Sequence, residues 1–208
     1  MMLRFADSAV KSPFADAAAR HSAGRFGMVL FLVSIGVLFI ATLIVLLVVR
    51  VQLARDGLWP SDLPALPKAL WASTAVLIAS SGTMHRALKN IRADRVLAAR
   101  NALLVTTVLG MAFLAIQIGC WIAWAGVVSD RWAGSEEFRL ALTGFYLLSG
   151  LHGLHVIGGL IALLRATISS ARRRYSPGEH AAVQYTGWYW HFLDAVWLII
   201  FILLLIAM

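Results

Sequence analysis

The sequence predicts an all-α integral membrane protein, a bundle of five transmembrane helices. Hydrophobic residues make up 61% of the 208 residues and charged residues only 13%, whereas roughly a quarter of the residues in a soluble domain are charged. The apolar residues are gathered in five runs, and each approaches the roughly 20 residues that a helix needs to cross a bilayer. We therefore predict a cytoplasmic tail over residues 1–25 and a five-helix membrane domain over residues 26–208. The approximate spans of this domain are residues 26–49, 69–85, 102–127, 141–164 and 187–207.

The tail is mixed and polar, and it has no apolar core followed by a small-residue cleavage site, which argues against a secretory signal. The first span contains no charged residue, and three prolines in the linker 50–68 favour a turning, non-helical connection. The second span is the most polar, and its hydroxyls can bond back to their own helix or across to another. These hydroxyls belong to Ser73, Thr74, Ser80, Ser81 and Thr83.

A basic loop, residues 86–100, leads to the third span, which contains Gln117 and the single cysteine, Cys120. With one cysteine the chain cannot form an internal disulfide or a two-cysteine metal centre. A cysteine in such an apolar run is usually an inert buried residue.

The fourth span places His152 and His155 near the middle of an apolar helix. Ionisable groups at that depth are costly and usually face a protein interior, and their spacing puts both histidines on one face. Glycines around them let another helix approach closely, so we expect tight helix packing or a groove for a lipid chain. These glycines are Gly150, Gly153, Gly158 and Gly159.

The fifth span carries His191 and Asp194, and Asp194 is the only carboxylate inside any predicted span. Three interpretations of the two polar pairs are open. Ligands such as His152 and His191 would hold a haem or a metal, or the pairs would relay protons. The interpretation that we favour is that the polar groups satisfy one another and nearby hydroxyls, locking the fourth and fifth helices together. The run Trp188, Tyr189 and Trp190 is typical of an interfacial aromatic belt.

The distribution of the basic residues predicts the orientation of the chain in the membrane. The net positive charge therefore does not require a nucleic-acid partner. Thirteen of the 18 Lys and Arg residues lie in the tail, in residues 86–100 and in residues 165–186. By the positive-inside rule the N-terminus is cytoplasmic and the C-terminus is outside.

The last two spans contain the segments F-Y-L-L-S-G-L-H-G-L-H-V-I-G-G at residues 145–159 and Y-W-H-F-L-D-A-V-W-L at residues 189–198. Both resemble the signature segments of subunit III of haem-copper terminal oxidases. Shorter pieces are similar too, among them F-L-V-S at residues 31–34 and G-M-A-F-L-A-I-Q at residues 110–117. The motif residues that we assign to helix packing or a lipid groove are Gly150, His152, Gly153, His155, Gly159, Trp190, His191, Asp194 and Trp197.

The resemblance implies a subunit of the short, five-helix bacterial form in the cytoplasmic membrane, with no catalytic site, cofactor or metal of its own. Haem and copper would belong to the catalytic subunit I beside it, with subunit II as a further partner. The resemblance also implies bound phospholipid and a role in the stability and sustained turnover of an oxidase that reduces oxygen and translocates protons. Whether cytochrome c or quinol is the electron donor stays open.

Two other functions stay open as alternatives: an accessory or assembly protein of a nitric oxide reductase, and an independent haem- or ion-handling membrane protein. The chain also departs from the family at two positions. Ile35 and Cys120 stand where the family commonly has membrane-embedded glutamates, so two carboxylates that could handle protons are missing.

Overall fold

The computed structural model describes residues 17–59, 67–132, 136–172, 175 and 180–207. Within these residues the chain is all-helical, which confirms the predicted fold class. It has five α-helices: α1 (Ala17–Arg55), α2 (Ala69–Arg92), α3 (Val96–Trp132), α4 (Glu136–Ala171) and α5 (Ala181–Ala207). Four of them contain segments long and apolar enough to cross a membrane: Ala19–Arg55, Val96–Val127, Tyr146–Ala171 and Ala181–Ile206. By these measures α2 is not a candidate span, so the prediction of five transmembrane helices is confirmed for four of them.

The helices extend beyond the predicted spans. Residues 17–25 of the predicted tail are helical, and residues 1–16 lie outside the described part of the chain. The basic loop predicted over residues 86–100 is wrong, because α2 continues to Arg92 and α3 begins at Val96. The turn between them contains Asp94 in the left-handed conformation, with φ at 58°. Arginine, lysine, leucine and alanine are good helix formers, so these polar helix ends continue as helix.

The linker 50–68 also differs from its prediction. The helix α1 includes the first part of this linker and ends at Arg55, and residues 60–66 lie outside the described residues.

Side-chain contacts show that α2, α3 and α4 run in alternating directions. The hydroxyls of Thr83 in α2 and Thr106 in α3 are 2.7 Å apart, near the end of one helix and the start of the next. Thr107 of α3 lies 3.3 Å from Thr167, near the end of α4. Each pairing joins one helix end to the opposite end of its neighbour.

The helices α1 and α5 are parallel to each other. At one end the Tyr185 hydroxyl donates to the backbone carbonyl of His21 over 3.4 Å. At the other end the guanidinium of Arg50 donates to the carbonyl of Ile206 over 3.0 Å. Together with the alternation of α2 to α4, these contacts place the starts of α1, α3 and α5 and the ends of α2 and α4 at one end of the bundle.

Most of the core lies among α2, α3, α4 and α5, and α1 adds Ile35 and Phe39 to it. Among the five described helices, α1 packs against α4 and α5. Large aromatic side chains from α3 and α5 fill this core, and Phe113, Trp190 and Trp197 are each 1% exposed. The outer helix α1 instead presents large apolar side chains along its length, as a lipid-facing helix would.

Candidate functional site

His152 of α4 lies in an aromatic cluster to which α1, α3 and α5 each contribute one ring. Its imidazole stacks on the indole of Trp197, with ring centroids 5.6 Å apart and planes inclined by 29°. Edges of Phe39 and Phe113 lie against it, at centroid distances of 6.1 and 6.4 Å. The side chain is 2% exposed, and neither ring nitrogen has a hydrogen-bond partner among the described residues. This aromatic cluster therefore joins four helices by packing.

The two motif tryptophans of α5 tie that helix to α2 through hydrogen bonds. Nε1 of Trp190 donates to the Ser80 hydroxyl over 3.0 Å, and Nε1 of Trp197 donates to the Thr74 hydroxyl over 3.1 Å. Each of these hydroxyls also donates to a backbone carbonyl of α2. The two bonding modes predicted for the hydroxyls of α2 thus occur together, and both buried indoles have their polar atom satisfied.

The indole of Trp190 is seated directly on the backbones of α3 and α4. A Cβ atom added at Gly110 would lie 2.7 Å from the ring, and one added at Gly159 would lie 3.1 Å from it. Trp190 is only 1% exposed and Tyr189 only 8% exposed. The predicted interfacial belt is therefore wrong for both residues, because this part of α5 turns them toward α3, α4 and α1.

His155 is half-buried and lies on the side of α4 that faces α1. Its Nδ1 is 2.8 Å from the carbonyl oxygen of Leu151, and its ring centroid is 5.3 Å from that of Phe39. The Tyr189 hydroxyl donates to the backbone carbonyl of His155 over 3.0 Å. The contribution of this histidine to the joint between α4 and α5 therefore comes from its main chain.

His191, Asp194 and Ser81 form a separate polar seam between α5 and α2. Nδ1 of His191 lies 2.7 Å from the Ser81 hydroxyl and 3.7 Å from a carboxylate oxygen of Asp194. The His191 side chain is 36% exposed, and that of Asp194 is 11% exposed. In the part of the chain that the structure describes, neither oxygen of the Asp194 carboxylate has a hydrogen-bond partner of good geometry.

The two polar pairs consequently do not satisfy each other. His152 and His155 are turned toward aromatic rings, whereas His191 and Asp194 lie beside α2. The favoured interpretation, in which the four residues satisfy one another and nearby hydroxyls, is confirmed for the bond between His191 and the Ser81 hydroxyl. It is wrong for the lock between α4 and α5, because that bond joins α5 to α2. Across the described residues, no three His, Cys, Asp or Glu side chains are grouped closely enough to hold a metal ion.

The motif glycines of α4 have different surroundings. A Cβ atom at Gly153 would lie 3.1 Å from the ring of Trp121, which makes this position a close contact with α3. Gly159 receives Trp190 and Leu193 of α5 in the same way. At Gly150 a Cβ atom would meet nothing within 4 Å, so this glycine does not mark a helix contact within the described residues.

An apolar groove, with a volume of about 140 Å³, lies between α1 and α5. Its walls include Gly36, Phe39 and Ile40 of α1, Leu148 of α4, and Phe192 and Val196 of α5. The α4 glycines that suggested a lipid groove are not among its lining residues.

Ile35 and Cys120, which replace the glutamates common in the resembled family, are each 6% exposed and belong to the apolar core. Two other core positions, Gly110 and Phe113, emerged only from the structure. Both lie within the segment 110–117 that resembles the family. That resemblance could therefore have pointed to Gly110, which contacts Trp190, and to Phe113, which belongs to the aromatic cluster.

Comparison with known proteins identifies the family. Residues 1–207 match the family described as cytochrome c oxidase subunit III. The chain is 33% identical over 146 residues to cytochrome c oxidase subunit 3 of Papio hamadryas, covering 69% of this chain and 49% of the relative. It is 32% identical over 182 residues to the protein of that name from Synechocystis sp., covering 86% of this chain and 73% of the relative.

The match to the Lumbricus terrestris protein of the same name is 32% over 130 residues, covering 62% of this chain and 47% of the relative. The chain thus spans about half the length of several of these relatives and nearly three quarters of the cyanobacterial one. Together with the packed motif segments of α4 and α5, these matches assign the chain to the cytochrome c oxidase subunit III family.

Proposed function

We propose that this chain is a non-catalytic third subunit of a haem-copper respiratory oxidase in a bacterial cytoplasmic membrane. In this role it stabilises the catalytic subunit, which carries the haems and copper, and retains phospholipid that supports sustained turnover. Subunit I is the expected direct partner, and subunit II completes the complex.

The proposal rests on the observation that the motif residues make their contacts with other helices of this chain. The polar atoms of Trp190, Trp197 and Tyr189 all bond to other helices of the same chain, and His152 is enclosed by aromatic rings. A residue whose polar atoms are occupied within the fold contributes to rigidity, and rigidity is what a supporting subunit supplies. The family membership and the four candidate spans agree with this role.

The proposal includes α2 as a fifth membrane-crossing helix. Its 24 residues correspond to about 36 Å of helix, and they follow α5 over a long distance, from Trp71 beside Phe201 to Leu88 beside Gly187. A helix that accompanies a spanning neighbour in this way crosses the same layer, even though its own hydropathy is low.

The low hydropathy of α2 in turn indicates where the partner docks. Its outward side has exposed small residues at helical spacing: Ala72, Ala75, Ala79 and Gly82. The half-exposed His191 of the polar seam lies on the neighbouring helix. Small residues allow close helix approach, and a partly exposed imidazole is costly against lipid. We therefore place the catalytic subunit against this small-residue face of α2.

The test is purification of the chain through an N-terminal tag in a mild detergent, with the visible spectrum and the co-purifying chains recorded. We expect a haem spectrum and a large multi-span partner in equal amount. A colourless chain without a partner would contradict the proposal, and haem bound to the isolated chain would favour an independent haem protein. A partner with the cofactors of a nitric oxide reductase would replace the oxidase with that enzyme.

A further inference from the structure

A cationic pocket lies at the end of the bundle where α1 and α5 begin and α2 ends. Its volume is about 540 Å³, and its lining side chains include His21, Arg25, Arg92, His180, Gln184 and Tyr185. Two guanidinium groups and two imidazoles therefore come together from three helices. No carboxylate is present among the described residues that line it; Glu179, the sequence neighbour of His180, is outside the described part.

Local helix geometry builds this pocket. His21 and Arg25 are one turn apart on α1 and share a face, and His180 and Gln184 are related in the same way at the start of α5. The ring of Tyr185 packs so closely on α1 that a Cβ atom at Gly24 would lie 2.6 Å from its hydroxyl oxygen. The N-terminal end of α5 adds a partial positive charge, and Nδ1 of His180 is buried without a hydrogen-bond partner in the described structure.

This set of donors suits a phosphate group. Arginine forms strong paired hydrogen bonds with phosphate oxygens, and a site with two arginines and a helix N-terminus favours an anion over a neutral group. Basic pockets between membrane helices on the cytoplasmic side are also suited to acidic lipid headgroups.

The apolar groove between the same two helices indicates which kind of phosphate compound binds in the cationic pocket. Gly36 follows Arg25 by eleven residues, which corresponds to about 16 Å of helix. The hydrocarbon layer of one leaflet is about 15 Å thick. An acyl chain that runs along α1 from a phosphate beside Arg25 therefore reaches the groove at Gly36, Ile40 and Phe192.

We propose that the seam between α1 and α5 binds an anionic phospholipid, with its phosphate in the cationic pocket and an acyl chain directed to the apolar groove. The proposal rests on the lipid-binding part of the proposed function and assigns that part a place and a headgroup charge. The occupant is a lipid rather than free phosphate because the polar and apolar parts of the site follow one helix pair at the spacing of a lipid molecule.

The test uses the full chain, together with any partner that co-purifies, in a neutral maltoside detergent. Binding of phosphatidylglycerol with a pyrene-labelled acyl chain is followed by energy transfer from the tryptophans. We expect the double variant Arg25→Gln and Arg92→Gln to bind about tenfold more weakly, because it removes the charge-assisted hydrogen bonds of both guanidinium groups to the phosphate. The matched control, Arg86→Gln with Arg100→Gln, removes the same charge outside the pocket and should stay within about twofold of the unmodified chain.

Two further measurements complete the test. Gly36→Phe fills the groove without changing the charge, and we expect it also to weaken binding of the labelled lipid. Equal losses in both arginine double variants would indicate general surface attraction and overturn the site. Displacement of the lipid by inorganic phosphate below millimolar concentration would indicate a free-phosphate site and overturn the lipid assignment. Haem content recorded on the same preparations separates the two proposals, since lipid binding and partner retention can fail independently.

Discussion

At the scale of single residues, Trp190 shows most clearly how the motif supports the fold. Its indole is in contact with glycine backbones on two helices, Gly110 and Gly159, and its nitrogen bonds to Ser80 on a third. One side chain therefore fixes α5 against α2, α3 and α4 together. This contact requires a small residue at both glycine positions, because the rigid indole ring cannot move aside as a flexible side chain would.

This dependence predicts a strong effect of a single methyl group. We expect Gly110→Ala to reduce the free energy of unfolding by about 1–3 kcal/mol, because the added carbon overlaps the Trp190 ring and overpacks the core. The change is measured as a lowered midpoint of thermal unfolding in detergent, followed by tryptophan fluorescence.

Gly119 on the same helix provides the matched control, since a Cβ atom there would meet nothing within 4 Å. We expect Gly119→Ala to be neutral or to stabilise the chain by up to about 1 kcal/mol through helix propensity. Equal midpoints for both variants would mean that the Trp190 seat does not limit stability.

At the scale of helices, α2 is the element whose sequence and surroundings disagree most. It is buried on one side, where Ser73, Thr74 and Ser80 meet α3 and α5. On its other side Ala75, Ala79 and Gly82 are exposed. Since small residues allow a second helix to approach closely, we expect this small-residue face to be covered by a partner helix in the membrane.

A bulky residue on that face should separate the partner without harming the chain. We expect Ala79→Phe to lower the haem recovered per chain by about tenfold, which corresponds to about 1.4 kcal/mol of lost association energy. The side chain points outward, so the thermal midpoint of the isolated chain should not change. The measurement is the ratio of haem absorbance to tagged chain after purification.

Ala115→Phe is the control, because Ala115 is also exposed but belongs to a different helix, α3. If both variants lost haem equally, or if Ala79→Phe kept all of it, the docking face would have to lie elsewhere on the bundle.

The helices themselves were predictable from the sequence because apolar runs of membrane length have few alternatives. Their ends were not, because residues such as Arg86 and Arg92 are good helix formers and also typical of loops beside a membrane. The orientation of side chains was harder still. In the sequence, Trp190 lies near a helix end, as the residues of an interfacial belt do. In the structure its ring lies inside the bundle, against the backbones at Gly110 and Gly159.

The partners of the four polar residues could not be predicted from the sequence either. Their spacing places His152 with His155 and His191 with Asp194 on common faces, but spacing on one helix says nothing about the rotation of another. The structure turns one pair toward Phe39 and Trp197 and the other pair toward Ser81. Partners across helices depend on this rotation, which the packing of all the helices determines together.

At the scale of the whole molecule, the alternation of the helices gathers most of the positive charge at one end. The starts of α1, α3 and α5 and the ends of α2 and α4 meet there, and nine of the 14 Lys and Arg residues that the structure describes lie at or beside these helix ends. The cationic pocket lies at the same end. By the positive-inside rule we expect this end of the bundle to face the cytoplasm.

This orientation predicts which single cysteines are reached from outside the cell. We expect Asp56→Cys, at the exposed C-terminal end of α1, to react with a membrane-impermeant maleimide on intact spheroplasts. Lys89→Cys, exposed near the end of α2, should react only after the membrane is permeabilised.

The native thiol contributes little background, because Cys120 is 6% exposed within the core. We expect at least about tenfold more labelling at residue 56 than at residue 89 before permeabilisation, since an asymmetry of basic residues between the two ends sets one topology. The reverse ratio would place the N-terminus outside, and would move the cationic pocket with its proposed phospholipid to the outer leaflet.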